Sequence, residues 1–273
     1  MNRRVTLPIG RITEETEDVR TFTFYHSLDA RPGQFIMATD FKEGEKPFSL
    51  SDSREGEFSF TVKRVGDFTR RLFTRRTGDF ISIRGAFGSS FFMSPRRALL
   101  IGGGYGTPPL LFLARALTAR GLPVKMINAA RTAGDLIMAP YFQDLGIDYC
   151  ETTDDGSRGF RGTAVDAVRH LKDQGGGAYD YVYAAGPELM MYHLRPLLEE
   201  GDYQFLFERY MKCAVGLCGS CAVDGSGIRI CREGPALDKA QVALLTEFGS
   251  YHRDSAGRKI SYKTNKPLIM EDE

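Results

Sequence analysis

Four of the chain's five cysteines fall within nineteen residues, at Cys213, Cys218, Cys221 and Cys231, in the order C-x4-C-x2-C-x9-C. Thiolates held this close need a counter-charge, and the C-x4-C-x2-C opening is the plant-type spacing that wraps one 2Fe-2S cluster. Gly216 and Gly219 suit such a loop, because backbone without a Cβ can come close to inorganic sulfide and direct N–H groups at it. Two other chemistries use four cysteines. A structural zinc site usually presents two separated C-x2-C pairs, whereas here one such pair has a four-residue gap before it and a lone cysteine after it. Two disulfides would suit a secreted chain, but residues 1–8 (MNRRVTLP) lack the apolar core of a secretory signal. The four cysteines are therefore the candidate metal ligands of an electron-transfer site.

Other stretches carry the residue types that a flavin dinucleotide needs: a cation for its pyrophosphate, a flat apolar surface for its ring and a donor near the nitrogen that accepts hydride. Lys46-Pro47-Phe48-Ser49 supplies a cation, a fixed turn, an aromatic ring and a hydroxyl. Gly66-Asp-Phe-Thr69 opens a short helical segment with Thr69 placed to cap it, and a helix N-terminus after a glycine is a natural anion seat. Taken singly, Lys46 reads as a surface lysine and Phe48 as a core phenylalanine. A third patch is the glycine turn after the apolar run 97–101, with Gly103, Gly104, Gly106 and Thr107 as candidate phosphate contacts before a helix through Leu117 and a strand over 124–130. That succession is the βαβ unit of a nucleotide-binding sheet. Asp154 and Asp155 would repel a 2′-phosphate and so suit NAD better than NADP, though the pair also reads as a solvated turn.

The elements that must position these groups follow from periodicity and punctuation. Short β-like runs at 21–25, 34–38, 58–62 and 80–83 alternate with turn signals, which predicts a small antiparallel barrel or sandwich. Beyond it, strands at 147–152 and 179–185 alternate with helices opening at Gly162-Thr163 and at Gly186-Pro187, which extends the βαβ unit to a doubly wound parallel sheet. A last strand over 203–207, a short strand over 228–230, a helix over 241–248 and a polar turn complete the chain. The expected fold is multidomain β plus α/β: an N-terminal antiparallel β-barrel (1–94), a parallel-sheet lobe (95–205), a small cluster domain (206–240) and a tail packed on that domain or on a partner (241–273).

The motifs Pro32-Gly-Gln-Phe35, Lys46-Pro-Phe-Ser49, Gly66-x-x-Thr69-x-x-Leu72, Gly78-Asp79 and Gly85-x-x-Gly88, in that order, resemble the FAD-binding barrel of the ferredoxin-NADP reductase superfamily. The resemblance implies FAD in the barrel, with Val62, Lys63 and Arg64 lining it, and NAD in the second lobe, with the Gly186-Pro187 turn facing the nicotinamide. The chain departs from the superfamily at Lys46, usually arginine, at Phe48, often tyrosine, and at Ala185, often cysteine; lysine keeps the charge and loses the planar fork. Adding Glu208-Arg-x-Met-x-Cys213, the remaining cysteines and Gly234-Pro235, residues 5–240 resemble the electron-transfer subunits of dihydroorotate dehydrogenase B. That resemblance implies an FMN-containing catalytic partner oxidising dihydroorotate, a heterotetramer, and electrons passing through the 2Fe-2S cluster and FAD to NAD+ in pyrimidine biosynthesis. The same modules are similar to those of NADH-dependent ferredoxin:NADP oxidoreductases and sulfhydrogenase-type complexes. A zinc-stabilised nucleotide sensor is the reading from a different class.

Composition is compatible with all of this. At 273 residues and 42% apolar content the chain can bury a sizeable core, and 36 basic against 35 acidic residues give no argument for nucleic acid or an anionic membrane. The most apolar stretch, 98–116, carries three consecutive glycines and two prolines, a poor membrane span, so a cytoplasmic protein is expected. No Ser-His-Asp set and no H-E-x-x-H occurs, and His26, His170, His193 and His252 lie in unrelated segments. No catalytic residue is assigned; the organic substrate is expected on another polypeptide.

Overall fold

The structure, a computed structural model, describes residues 4–175 and 179–268. The first strands are β1 (Val5–Pro8), β2 (Arg11–Thr16), β3 (Val19–Phe24), β4 (Phe35–Asp40), β5 (Gly44–Arg54) and β6 (Glu57–Lys63); helix α1 (Asp67–Phe73) and β7 (Phe80–Phe87) follow. They form an antiparallel sheet in the order β1-β7-β4-β5-β6-β3-β2. The eleven-residue β5 makes it curl: its first half pairs with β4 and, after a register shift between Leu50 and Asp52, its second half pairs with β6. Phe22, Phe24, Phe58 and Phe60 stack in the concavity at centroid distances of 5.2–5.8 Å. The module is a half-barrel rather than a closed one, since no pairing joins β1 to β2 among the described residues. Lys46–Ser49 lies within the long β5, where the sequence suggested the end of a strand. A two-residue register of apolar side chains cannot reveal a strand that changes partner halfway.

The second sheet is built from β8 (Ala98–Gly103), α2 (Pro108–Thr118), β9 (Val124–Ala130), α3 (Ala139–Asp144), β10 (Asp148–Thr153), β11 (Phe160–Arg161), α4 (Ala164–Asp173), β12 (Tyr181–Ala185), α5 (Glu188–Leu194), β13 (Asp202–Leu206) and β14 (Ala236–Asp238). Its order is β11-β10-β9-β8-β12-β13-β14, parallel except for β14. The apolar residues of α2 and α3, such as Leu113 and Phe142, pack with Leu100 and Met126, while Val168 of α4 and Leu194 of α5 pack with Leu99 and Ile101. The sheet is thus covered on both faces, and its strand order reverses between β8 and β12. At that reversal the carboxyl ends of the strands open a crevice.

The cysteine segment is inserted between β13 and β14. The strand expected over 228–230 is only an isolated bridge, Ala222 to Arg229, because the chain doubles back at once: Arg232 and Glu233 donate to the Arg229 carbonyl. Helix α6 (Lys239–Ala243) is capped by Asp238, whose Oδ1 accepts from Gln241 N at 2.9 Å, and it stops well short of Phe248 in turns leading to Gly249. A small hairpin, β15 (Tyr251–Arg253) with β16 (Lys259–Ser261), completes the described chain. Arg209 clamps these parts: its guanidinium meets Glu188 of α5 at 2.5 Å and Glu247 of the tail at 2.8 Å, and all three side chains are nearly solvent-free. A buried guanidinium is held so only when its charge is fully met.

Candidate functional site

Two grooves meet in the angle between the sheets. The first, about 260 Å³, has Pro47, Phe48 and Ser49 of β5, Val62 and Lys63 of β6, and Thr69 of α1 on its barrel side. Glu208, Met211 and Pro235 of the cysteine segment form the opposing wall. Apolar walls carrying a few hydroxyls fit the flat ring of a flavin. Thr69 does more than cap a helix: its Oγ1 accepts from Val65 N at 2.8 Å and Gly66 N at 2.9 Å, which fixes the turn entering α1. Phe48 packs against Phe60 and Phe68, so its ring is both wall and core. Lys46, Arg64 and Gly66 stand outside this groove; the Arg64 guanidinium lies over the Phe73 ring at 5.4 Å.

The second groove, about 640 Å³, lies at the carboxyl ends of the parallel strands, where a dinucleotide is expected. Gly103 ends β8 and Gly104 follows it, Arg131 follows β9, Asp154 follows β10, and Pro187, Met190 and His193 come from the turn into α5 and the helix itself. Gly106, Thr107 and Gly186 do not line it. A Cβ on Gly106 would fall 2.5 Å from Gly186 Cα, so these glycines let two turns touch. Thr107 is wholly buried, its Oγ1 donating to Asn128 Oδ1 at 3.1 Å. Lys63 and Tyr105 line both grooves, the Lys63 ammonium 5.6 Å from the Tyr105 ring centre, so the grooves share a wall.

Because the two turns touch, Gly106→Val forces the Gly186-Pro187 turn away from the glycine turn. Overpacking of this kind costs about 1–3 kcal/mol. We expect NAD affinity to fall by a factor of about ten or more, measured as NADH titration of flavin-loaded protein, with the flavin spectrum retained.

All five cysteines are free thiols. Those of the segment influence one another in two pairs, Cys213 with Cys218 and Cys221 with Cys231. No three metal-binding side chains among the described residues converge as they would on a single ion. A lone zinc calls for four thiolates around one point, whereas a 2Fe-2S centre calls for two at each iron, and the pairs match the second. Backbone N–H groups point at the sulfurs: Gly216 donates to Cys231 Sγ at 3.3 Å, Leu217 to Cys213 Sγ at 3.3 Å and Cys231 to Cys221 Sγ at 3.4 Å. Ala214, Gly216 and Gly219, all at positive φ, turn the loop so that its amides face inward. Burial opposes ionisation of Cys213, yet the amides of Cys218, Val215 and Leu217 outweigh it and bring the thiol down to about 6. Cys231 is pushed up to about 12 by burial and by its neighbour Cys221, so its proton leaves only against a strong cation.

The residue that sequence reasoning missed is Glu208. It stands on the flavin-groove wall, open to the cleft. The chain packed around it pushes its carboxyl up, with Arg209 pulling the other way. Its charge is the first cause, burial the second, of the raised Tyr105 phenol. The sequence contains Glu208 only as one letter of a cysteine motif; its reach into a groove built by the barrel is a tertiary contact without local signal.

Residues 208–243 match the family model described as the iron-sulfur cluster binding domain of dihydroorotate dehydrogenase B. A protein of Methanothermobacter thermautotrophicus described as a probable dihydroorotate dehydrogenase B (NAD(+)), electron transfer subunit, is 42% identical over 268 residues, 96% of this chain and 99% of its own. One of the same description from Methanocaldococcus jannaschii is 35% identical over 266 residues, 96% of this chain and 100% of its own. Among solved structures, an NADH-dependent reduced ferredoxin-NADP oxidoreductase chain superposes with a TM-score of 0.78 at 28% identity, covering 91% of this chain and 95% of that one.

Proposed function

This chain belongs to the family of dihydroorotate dehydrogenase B electron-transfer subunits, and on that premise we propose that it carries electrons from a catalytic partner to NAD+ through a 2Fe-2S centre and FAD. The observation that carries the reading is the continuity of the cysteine segment with the flavin groove. Glu208 and Met211 form part of the groove wall, and Cys213 follows two residues later. A flavin bound in the groove supplies the exchange between paired electrons, as hydride, and the single electrons of an iron–sulfur centre.

The chain's own residues do the rest. Cys213 and Cys218 would hold one iron and Cys221 and Cys231 the other, and the inward amides would favour added negative charge on the centre. The outward side of this loop, with Cys218 exposed beside Leu217 and Val215, offers the partner a short path to the centre. Pro47, Phe48, Ser49, Val62 and Thr69 seat the flavin, and Lys63 and Tyr105 border the place where nicotinamide and flavin meet. Two electrons arriving singly at a flavin bring no proton, whereas hydride leaving for NAD+ carries one. Glu208, open to the cleft with its carboxyl raised by the chain packed around it, holds that proton at its own oxygen on the groove wall.

The partner is an FMN-containing dihydroorotate dehydrogenase chain, and two copies of each form a heterotetramer. No helix among the described residues is long and apolar enough to cross a membrane, and the site of action is the cytoplasm. The functional divisions are 1–94 for FAD, 95–205 for NAD, 206–240 for the cluster and 241–273 for the tail. The likeness to the NADH-dependent reduced ferredoxin-NADP oxidoreductase supports a second reading with the same wiring and another partner. Co-purification separates them: an FMN barrel supports the first, an iron–sulfur-rich polypeptide the second. Visible spectra with flavin and iron analysis test what both share, and a colourless, zinc-containing protein would end both.

Asp154, beside Arg131 on the wall of the larger groove, disfavours a 2′-phosphate. Asp154→Ser should improve kcat/KM for NADPH about tenfold relative to NADH, since about 1.4 kcal/mol of charge repulsion is removed. An unchanged ratio would take Asp154 out of cofactor selection.

A further inference from the structure

One arginine of the barrel reaches the cysteine loop. Arg84, on β7, donates from Nη1 to the carbonyl of Cys213 at 3.0 Å and from Nη2 to that of Lys212 at 3.4 Å. The same guanidinium grips Glu45 through two bonds, Nε to Oε1 at 2.8 Å and Nη2 to Oε2 at 2.5 Å. Glu45 also takes Arg4 Nη2 and Thr39 Oγ1, each at 3.1 Å, and it directly precedes the Lys46–Ser49 run of the flavin groove. On its other side Arg84 lies over the Phe87 ring at 5.2 Å, and Phe87 packs on Phe35 of the groove wall. Arg84 therefore touches both the residue that bears the first thiol and the strand that seats the flavin.

We propose that Arg84 sets the reduction potential of the centre held by the four cysteines, with Glu45 as its counterweight, while fixing the first ligand loop against the flavin barrel. The inference rests on the reading of Cys213, Cys218, Cys221 and Cys231 as ligands of a 2Fe-2S centre. An electron placed on that centre adds negative charge; the guanidinium on the Cys213 carbonyl stabilises it, and the carboxylate behind the guanidinium opposes it. Side-chain exposures of 19% for Arg84 and 16% for Glu45 leave both charges incompletely screened.

The two members of the ion pair should then push the centre in opposite directions, which mere loosening of the loop would not do. Redox titration of the isolated flavin-loaded protein, followed by the visible and paramagnetic signals of the 2Fe-2S centre at one pH, reads this directly. Arg84→Gln is expected to lower the reduced-to-oxidised ratio at fixed ambient potential about tenfold, which is about 59 mV for a one-electron couple. Glu45→Gln is expected to raise the ratio, and Arg84→Lys, which keeps the charge and loses the fork, to stay within about threefold of the wild type. Shifts of the same sign in Arg84→Gln and Glu45→Gln, or none in either with the spectrum intact, would reduce Arg84 to a strut. If Arg84→Gln does not retain the centre, Glu45→Gln decides: an upward shift supports the proposal and an unmoved potential overturns it. A wild-type protein without a 2Fe-2S signal would instead bring down the ligand assignment, and this inference with it.

Discussion

Cys221→Ser removes the visible absorbance of the iron–sulfur centre and cuts electron delivery from the catalytic partner to NAD+ by more than about a hundredfold. Cys221 is buried, its sulfur accepts the Cys231 amide, and its thiol pairs with that of Cys231, so its loss strips one iron of half its protein ligands. A serine oxygen is a hard, weakly acidic ligand in place of a soft thiolate. The fifth cysteine, Cys150, sits in β10, with β9, β8 and β12 between it and β13, and cannot substitute. The flavin groove draws its walls from β5, β6 and α1 and from segment residues other than Cys221, so NADH-to-dye turnover should persist at near the wild-type rate. Parallel assays with dye and with the partner chain measure both. Survival of the cluster spectrum together with transfer to the partner would show that the ligand set is wrong.

Glu208→Gln lowers turnover from partner to NAD+ by about a hundredfold, the low end of what a positioned acid–base group contributes. The sign of its pH dependence follows from the chain packed around the cleft-facing carboxyl, which disfavours its charged form. The carboxyl of Glu208 is raised, so it keeps its proton at pH values where an ordinary glutamate has lost it, and proton supply fails as pH climbs through that raised value. The charged and titratable groups near it, Arg209 on its own segment and Tyr105 and Lys63 across the groove, remain in the variant. The wild type should therefore lose rate on the alkaline side of this step, and the glutamine variant should show a flat profile. Reductive half-reactions followed at several pH values, with flavin content held equal, provide the comparison; a variant with wild-type rates and profile would remove Glu208 from the chemistry.

The parts legible in the sequence were those written locally. Cysteine spacing marked the ligand loop, and the alternation of apolar runs with glycine turns gave the parallel sheet, since β8, α2, β9, β12 and α5 each carry their own pattern. Four of the half-barrel strands were readable for the same reason. The edge strands β1 and β2 mix half-buried and exposed positions without an apolar run, and β5 carries Pro47 and several hydroxyls, so neither kind stands out. The helix expected over 241–248 has helical composition but ends at Ala243, because Leu245 and Phe248 are buried as the chain turns toward the Arg209 clamp. Gly106 and Thr107 belong to the glycine turn after β8, and only coordinates separate the residues that line the groove from those that let the turn pack. Glu208 and Arg84 act across module boundaries, where sequence distance carries no information.

The position of the cysteine segment has an engineering consequence. Leu206 and Ala236 are paired neighbours on β13 and β14, and Phe207 N donates to the Pro235 carbonyl, so the stretch between them enters and leaves the sheet at one point. A tight Asn-Gly hairpin could bridge the stumps in register, but the excised stretch would take Glu208, Met211 and Pro235 with it, so one wall of the flavin groove would have to be rebuilt. Excision would also strand Glu188 and Glu247, which share Arg209, so a working graft would carry neutral residues at both. Read in the opposite direction, the same junction marks where a two-electron reductase could be given a one-electron outlet, provided that acidic partners for Arg209 are supplied with it.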